Sequence, residues 1–233
     1  MLVDFFFLRK EKNMGLFDII GPVMIGPSSS HTAGAARIGL AARRILGEPV
    51  KKAKITLYGS FAKTGKGHGT DRALVAGLMG CTPDDTRIRD AIHIAEDQGI
   101  SIQFAFSDDD MGHPNVAKIE ETGLSGKSVT VIGRSLGGGR ILITSIDGYD
   151  VEITGEEYSF LTRHHDVPGI VADVTAVFAK EHINITTMRL FLRNKNDEAV
   201  MIIHTDRHIS KALCEEIKNT NKNIISTLSL DLI

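Results

Sequence analysis

Apolar and polar positions fall into two blocks of different rhythm along the chain. In residues 14–153 short periodic segments alternate with glycine-rich stretches. Ala33–Leu46 carries alanine, leucine and isoleucine at helical spacing and stops at Gly47 and Pro49, which predicts a helix preceded by Ser29-Ser30-His31-Thr32. Ile55–Tyr58 alternates as a strand. Asp71–Met79 and Ile88–Gln98 read as helices, the second closed by Gly99, and Ile102–Phe106 returns as a strand. Ser128–Ile132, Arg140–Ile146 and Tyr149–Ile153 predict a meander. Its breaks are Gly137-Gly138-Gly139 and Asp147-Gly148, the latter a type I′ hairpin signal. With helices early and antiparallel strands late, the class is α+β.

Thr154-Gly155-Glu156-Glu157 reads as a short linker, and residues 157–233 then follow a regular order. Strand Tyr158–Arg163 leads to helix Gly169–Glu181, with Pro168 placed at its first position. Strand Asn184–Leu192, a turn at Asn194–Asp197 and strand Glu198–Thr205 come next, and helix Ser210–Lys218 precedes strand Ile224–Leu230. That order is βαββαβ, the ferredoxin-like split pattern. A two-layer unit of this kind is expected to leave one sheet face and its edges open for pairing with another subunit.

Composition narrows the function classes. The 233 residues suffice for one or two domains, and 42% hydrophobic with 24% charged residues is ordinary for a globular protein. Twenty-seven Lys+Arg against 29 Asp+Glu give a net charge of -2, so no nucleic-acid partner is expected. Cys81 and Cys214 stand far apart, which argues against a disulfide framework or a metal cage built by this chain alone and fits a reducing cytoplasm. Phe5-Phe6-Phe7-Leu8 is too short to cross a bilayer, so no membrane partner is expected either. Met1–Asn13 lacks the small-residue cleavage site of a signal peptide and reads as a non-structural leader upstream of a start at Met14.

Two constellations carry chemistry. Gly26-Pro27-Ser28-Ser29-Ser30-His31-Thr32 puts hydroxyls and amide donors at a helix N-terminus, a setting suited to a carboxylate or phosphate, and His31 titrates near neutrality. Plain N-capping would need one serine rather than this set. Thr64-Gly65-Lys66-Gly67-His68-Gly69-Thr70-Asp71 has three alternating glycines, readable either as a close-approach loop or as a flexible turn with Thr70 or Asp71 capping the next helix. Neither nucleotide fingerprint fits: Gly59 and Gly65 enclose five residues where a P-loop needs four, and Thr70 occupies the third glycine position of a dinucleotide motif. A phosphate- or nucleotide-binding enzyme is accordingly disfavoured. Asp108-Asp109-Asp110 reads as a solvated turn, while His113-Pro114-Asn115 is kept as lining for a site. Ser135–Gly139 reads as a hairpin turn, His164-His165 as surface and His93 as structural.

The second block resembles an ACT domain, through Asp166-x-Pro168-Gly169 and His182-Ile183-Asn184-Ile185 with Met188. The whole of residues 14–233 resembles the β subunit of bacterial iron–sulfur-dependent L-serine dehydratase. The matching features, in order, are Gly26–Thr32, Gly67-His68-Gly69-Thr70-Asp71, His113-Pro114-Asn115 and the Gly137–Gly139 turn. The resemblance implies a mixed α/β serine-dehydratase β domain over residues 14–153, allosteric-substrate-binding-like in fold, followed by an ACT domain over 157–233. It implies a cytoplasmic lyase subunit acting on L-serine, with a [4Fe–4S] cluster as Lewis acid for the departing hydroxyl. Two cysteines cannot ligate that cluster, so the partner α chain would carry it, with no metal on this chain and no activity alone. Substrate binding would fall to Ser28, Ser29, Ser30, His31 and Thr32, and His31 and His68 are the catalytic candidates. Gly67, Gly69, Thr70, Asp71, His113 and Asn115 would form the active-site wall or the subunit contact. An amino-acid effector would sit at a paired ACT interface near Asp166, Gly169, Asn184 and Ile185, in an oligomer of αβ pairs. The alternative is a non-catalytic serine-sensing protein, because the first block also resembles the allosteric domain of some D-3-phosphoglycerate dehydrogenases.

Overall fold

The computed structural model describes residues 23–193 and 198–233, so the expected leader and the Asn194–Asp197 turn lie outside the described residues. The first unit is a six-stranded sheet of order β2-β1-β3-β4-β5-β6, with β1 (Val50–Tyr58), β2 (Ser101–Ser107), β3 (Asn115–Gly123), β4 (Ser128–Gly137), β5 (Arg140–Ile146) and β6 (Tyr149–Ile153). β1 and β2 run parallel and the other pairs antiparallel. A parallel pair needs a long crossover, and helices supply it. These are α2 (Gly59–His68), α3 (Thr70–Leu78) and α4 (Ala91–Asp97). α1 (Ala35–Leu46) precedes β1, ends at left-handed Gly47 as the sequence suggested, and is led in by a wider π-type turn over Ser29–Gly34.

The sheet and its helices depart from the expected elements at two places. The Thr64–Asp71 stretch is not a loop: α2 runs through it as far as His68, and Gly69 alone turns left-handed (φ 71°) to start α3. Phe61, fully buried, and the Thr64 hydroxyl on the Ser60 carbonyl at 2.9 Å anchor a helix whose glycines alone would not hold it. β3, which the apolar pattern did not announce, is central in the sheet. It alternates inward Ala117, Ile119 and Glu121 with outward Lys118 and Glu120, and an inward glutamate masks the period of two.

α1 crosses α3 at unusually close range. A Cβ on Gly39 would run into the Leu74 carbonyl oxygen, and one on Gly77 into that of Ala36. The bare backbones therefore meet, and α1 is pressed onto β4, where the absent side chain of Gly133 leaves room for Ile38 and Ile143.

The second unit is a four-stranded antiparallel sheet of order β10-β7-β9-β8, from β7 (Tyr158–His165), β8 (Ile185–Arg193), β9 (Glu198–Thr205) and β10 (Ile224–Leu230). α5 (Ile170–Lys180) and α6 (Lys211–Thr220) cover one face over Phe160, Phe178, Met201, Ile203 and Ile217. Gly169, left-handed at φ 101°, caps α5, which places Pro168 before the cap rather than inside the helix. The opposite face is not left open. Leu161, Val200, Ile202 and Leu230 join the core of the first unit, so the unbroken apolar run Ala199–Ile203 is buried on both sides. The edge strand β8 does keep Met188, Leu190 and Leu192 exposed. His164 is also buried, with its Nδ1 3.0 Å from the Thr162 hydroxyl, and so is not a surface residue. His93 is exposed and sits 3.8 Å from Asp97 one turn on.

Glu121 is buried to 2% exposure, and neither carboxyl oxygen has a hydrogen-bond partner among the described residues. Burial pushes its pKa up to about 8, against the pull of Arg43 and Lys127. The folded chain thus holds a proton that the unfolded chain releases near 4.5, so stability falls as pH rises from about 4.5 to 8. Glu121→Gln should flatten that fall and stabilise the protein at pH 8 by an amount on the order of a few kcal/mol, read by urea denaturation across pH. At the helix crossing, Gly77→Ala should cost about 2 kcal/mol or more by the same measurement. Gly67→Ala, with open space around the new methyl in α2, should be neutral or stabilise by up to about 1 kcal/mol.

Candidate active site

Ser28 stands in extended geometry before the π-type turn, and its Oγ accepts the His31 amide at 3.2 Å while its carbonyl accepts that of Thr32 at 2.8 Å. These donors are spent inside the turn rather than offered to a ligand. What the turn presents is the His31 ring. Its Nδ1 lies 3.1 Å from Ser30 Oγ, and its Nε2 lies 3.2 Å from Ser60 Oγ and 3.1 Å from Thr64 Oγ1. Ser28 and Ser30 hydroxyls are 3.3 Å apart, and Ser135 Oγ donates to the Ser30 carbonyl at 2.9 Å. Every ring nitrogen thus faces hydroxyls that can donate or accept, an arrangement that passes protons without a fixed charge.

Phe61 packs edge-on against the His31 ring with centroids 5.2 Å apart, and the His68 ring lies 5.0 Å away on another side. Burial, and secondly the neighbouring His68, push the His31 pKa below its ordinary value of 6.5, opposed by a hydrogen bond with Ser60. His31 is therefore neutral at neutral pH. Thr32 Oγ1 donates to the His68 carbonyl at 3.3 Å, tying the turn before α1 to the end of α2. The start of α2 is held in turn by the next loop: the Pro114 carbonyl accepts the Ser60 amide at 2.6 Å, and Gly59 (φ 55°) bridges to Asn115 where a side chain would strike Pro114. His113 Nδ1 accepts the Asn115 amide at 3.1 Å, and its pKa is lowered by burial and then by Arg134.

The structure thus brings together Ser28–Thr32, His68 and, through Ser60, the His113–Asn115 loop. Gly67 and Gly69 form the corner beside His68. Thr70 is turned fully inward, and Asp71 takes the Arg72 amide at 2.8 Å. The ACT candidates lie on the other unit, with Asp166, Gly169 and Asn184 exposed, Ile185 half-buried and the Asn184 amide donating to Asp206. Residues that motif reading left out complete the first cluster. Ser60 and Thr64 stand one helical turn apart, a spacing that means something only once α2 is known to be a helix. Arg72 and Arg89 line a cleft of about 200 Å³ together with Pro27, Thr32, Gly67 and His68. Among the described residues neither guanidinium has a carboxylate partner, and Arg72 donates to the Arg89 carbonyl at 3.3 Å. Two cations, a threonine and a histidine around a cleft this small suit the carboxylate of a small acid.

The cysteines do not fit a cluster site. Cys81 is buried in the first core and Cys214 in the second, and burial pushes both thiols up, away from the thiolate a metal needs. Among the described residues no group of three or more His, Cys, Asp or Glu is arranged to hold a metal ion. None of the described helices is long and apolar enough to cross a membrane.

The family model for the serine dehydratase beta chain matches residues 15–144, and that for the ACT domain matches residues 158–221. The chain is 42% identical over 219 residues to the probable L-serine dehydratase beta chain of Bacillus subtilis, covering 94% of this chain and 99% of that one. It is 37% identical over 204 residues to the L-serine dehydratase beta chain of Peptoniphilus asaccharolyticus, covering 87% and 90% respectively. A weaker likeness, 27% over 199 residues, covers 85% of this chain but 37% of the D-3-phosphoglycerate dehydrogenase of B. subtilis. Its α/β unit followed by a ferredoxin-like unit makes it a two-part enzyme-subunit architecture, and the chain belongs to the serine dehydratase beta chain family, with an ACT domain at its C-terminal side.

An NMR titration of the histidine rings tests the electrostatics directly. His31 should titrate below 6.5, and His68→Asn should move it part of the way back while burial holds the remainder of the shift. An ordinary His31 titration, unmoved by that substitution, would show that the ring is neither buried nor coupled to His68.

Proposed function

We propose that this chain is the β subunit of a two-chain L-serine dehydratase that converts L-serine to pyruvate and ammonia. A partner α chain carries the [4Fe–4S] cluster, and the β chain alone is inactive. The observation that carries the reading is His31, buried, kept neutral, and held between Ser30 on one side and Ser60 with Thr64 on the other. The beta-chain names of the relatives support both the partner and the substrate.

The reaction removes the substrate's α-proton, forms the Cα–Cβ double bond and expels the β-hydroxyl as water. The resulting aminoacrylate tautomerises to an imine, and water then displaces ammonia. On this chain, the substrate carboxylate sits in the cleft between Thr32 and the Arg72 and Arg89 guanidinium groups. His31 and its hydroxyl neighbours position the substrate and move protons, with His68 and the Gly67–Gly69 corner as the wall. The Ser28–Ser30 hydroxyls support His31 more than they touch substrate, because their hydrogen bonds run within the turn.

The ACT unit binds an amino-acid effector near Asp166, Gly169, Asn184 and Ile185 and pairs with a second ACT unit, giving an oligomer of αβ pairs. Exposed Met188, Leu190 and Leu192 on edge strand β8 support such pairing. The likeness to a D-3-phosphoglycerate dehydrogenase favours a second reading, in which the chain senses serine without catalysis.

Anaerobic pyruvate formation from L-serine separates the two. The chain mixed with its α partner should be active and the chain alone inactive. A stable, cluster-loaded but inactive mixture would leave the sensor reading in place. His31→Ala should lower kcat by about a hundredfold or more with assembly intact. Arg72→Gln should act chiefly on KM, raising it about tenfold.

A further inference from the structure

A second cleft, of about 150 Å³, opens where the ACT sheet meets the first unit. Its apolar wall is made by Ile45 of α1, Val129 of β4, and Leu161, Val200 and Leu228 from the ACT sheet. Two cations flank that wall, and Asp147 and Tyr149 also line the cleft, with Asp147 Oδ1 accepting the Thr130 amide at 2.8 Å. Lys127 donates through Nζ to the Leu46 carbonyl at 2.6 Å, which fixes the ammonium at the C-terminal end of α1 and leaves it further protons to donate. Arg163 reaches in from β7 with its Nε buried and without a hydrogen-bond partner among the described residues. The nearest carboxylate oxygen to that nitrogen, Oε2 of Glu198, is 3.8 Å away and already accepts the Tyr149 hydroxyl.

A buried guanidinium N–H that donates to nothing is costly, and an arriving carboxylate would satisfy it. The wall behind it has no polar demand and rewards branched hydrocarbon. One water needs roughly 10–15 Å³ of such space, so this cleft admits a molecule of several heavy atoms but not a nucleotide or a peptide. We propose that this junction is a binding site for a short branched aliphatic carboxylate, its carboxylate on Arg163 and Lys127 and its hydrocarbon on Leu161, Val200 and Leu228. The site is separate from the His31 cleft and from the Asp166–Gly169 corner, and it stands or falls without the catalytic reading. A ligand there would touch both units at once and favour the arrangement in which they are closed on each other.

Calorimetry on the full chain tests this with 4-methylpentanoate as the probe. L-Leucine and 4-methylpentan-1-ol serve as comparison arms. 4-Methylpentanoate should bind saturably and the alcohol should not. Tighter binding of L-leucine would identify the source of the carboxylate as an amino acid, and weaker binding would identify it as a simple acid. Arg163→Gln should weaken binding about tenfold or more. Ser226→Trp, at an exposed position on the rim, should block binding without touching either core. Hydrogen exchange should slow in β4, β7 and β9 on binding. Absence of saturable binding to the wild-type chain would overturn the proposal. So would binding that survives Ser226→Trp, which decides the matter even where Arg163→Gln perturbs the fold.

Discussion

The close crossing of α1 and α3 is the constraint on which the rest of the molecule depends. Gly39 and Gly77 let two backbones meet with no side chain between them, at a separation that any Cβ would prevent. Such a contact gives up the hydrophobic area of two side chains. In exchange it fixes the relative height and tilt of the helices more tightly than interdigitated leucines would, because backbone cannot change rotamer. The functional geometry follows from it. The turn carrying His31 and Thr32 precedes α1, and His68 ends α2 with only Gly69 between it and α3. Once the helices are locked together, Thr32 falls within hydrogen-bond distance of the His68 carbonyl, and the two imidazoles lie 5.0 Å apart. The site is assembled by helix packing, with loop structure secondary.

The buried polar groups show two different solutions to the same problem. Around His31, three hydroxyls from two separate segments meet the ring nitrogens, so the imidazole is removed from water without losing hydrogen bonds. Its charge is suppressed while its ability to exchange protons is kept. Glu121 is treated oppositely: among the described residues neither oxygen has a hydrogen-bond partner, and it stays protonated over most of the physiological range. A neutral carboxyl under α1 costs less than an ionised one, and Arg43 and Lys127 are too weakly engaged to reverse that balance. The proposed function explains the first arrangement. The structure offers no role for the second beyond the cost it imposes.

Much of this was legible in residue order. The βαββαβ order of the second unit, the helix ending at Gly47, and the Asp147-Gly148 turn with both residues at positive φ follow from local pattern and turn chemistry. The serine-rich motif and His68 were visible as candidates, and the structure places them side by side. What escaped were features that depend on partners remote in sequence. Gly39 and Gly77 look like weak points in two helices until each is seen against the other's backbone. α2 was hidden because its glycines signal a loop, whereas its stability comes from Phe61 in the core and from the Pro114 carbonyl at its start. Ser60 and Thr64 went unread with it, and Arg72 and Arg89 because the cleft they line is assembled from segments remote in sequence. β3 was obscured by Glu121, a charged residue type on the inward face. The back of the ACT sheet reads as open in a two-layer unit, and only the first unit, packed against Leu161 and Ile202, shows why both faces of β9 are apolar.

The two units share more than a border. α1 begins beside His31 and, about 18 Å further on at the usual rise per residue, ends against the ACT sheet. There the Arg44 guanidinium donates to the Leu232 carbonyl at 2.5 Å, and Ile45 packs into the junction. A helix is stiff along its axis, so a shift of the ACT sheet reaches the His31 turn as a tilt or slide of the whole rod rather than as a local adjustment. The glycine crossing defines which of these is allowed. Two bare backbones in contact resist closer approach absolutely, and any lift of α1 would open a void between them. Sliding along α3 would carry a Cβ of one helix over the backbone of the other, which the glycines alone avoid, so α1 can shift only together with α3. The same contact that builds the site therefore keeps Thr32 and the His68 carbonyl together, because the two helices that carry them move as one body.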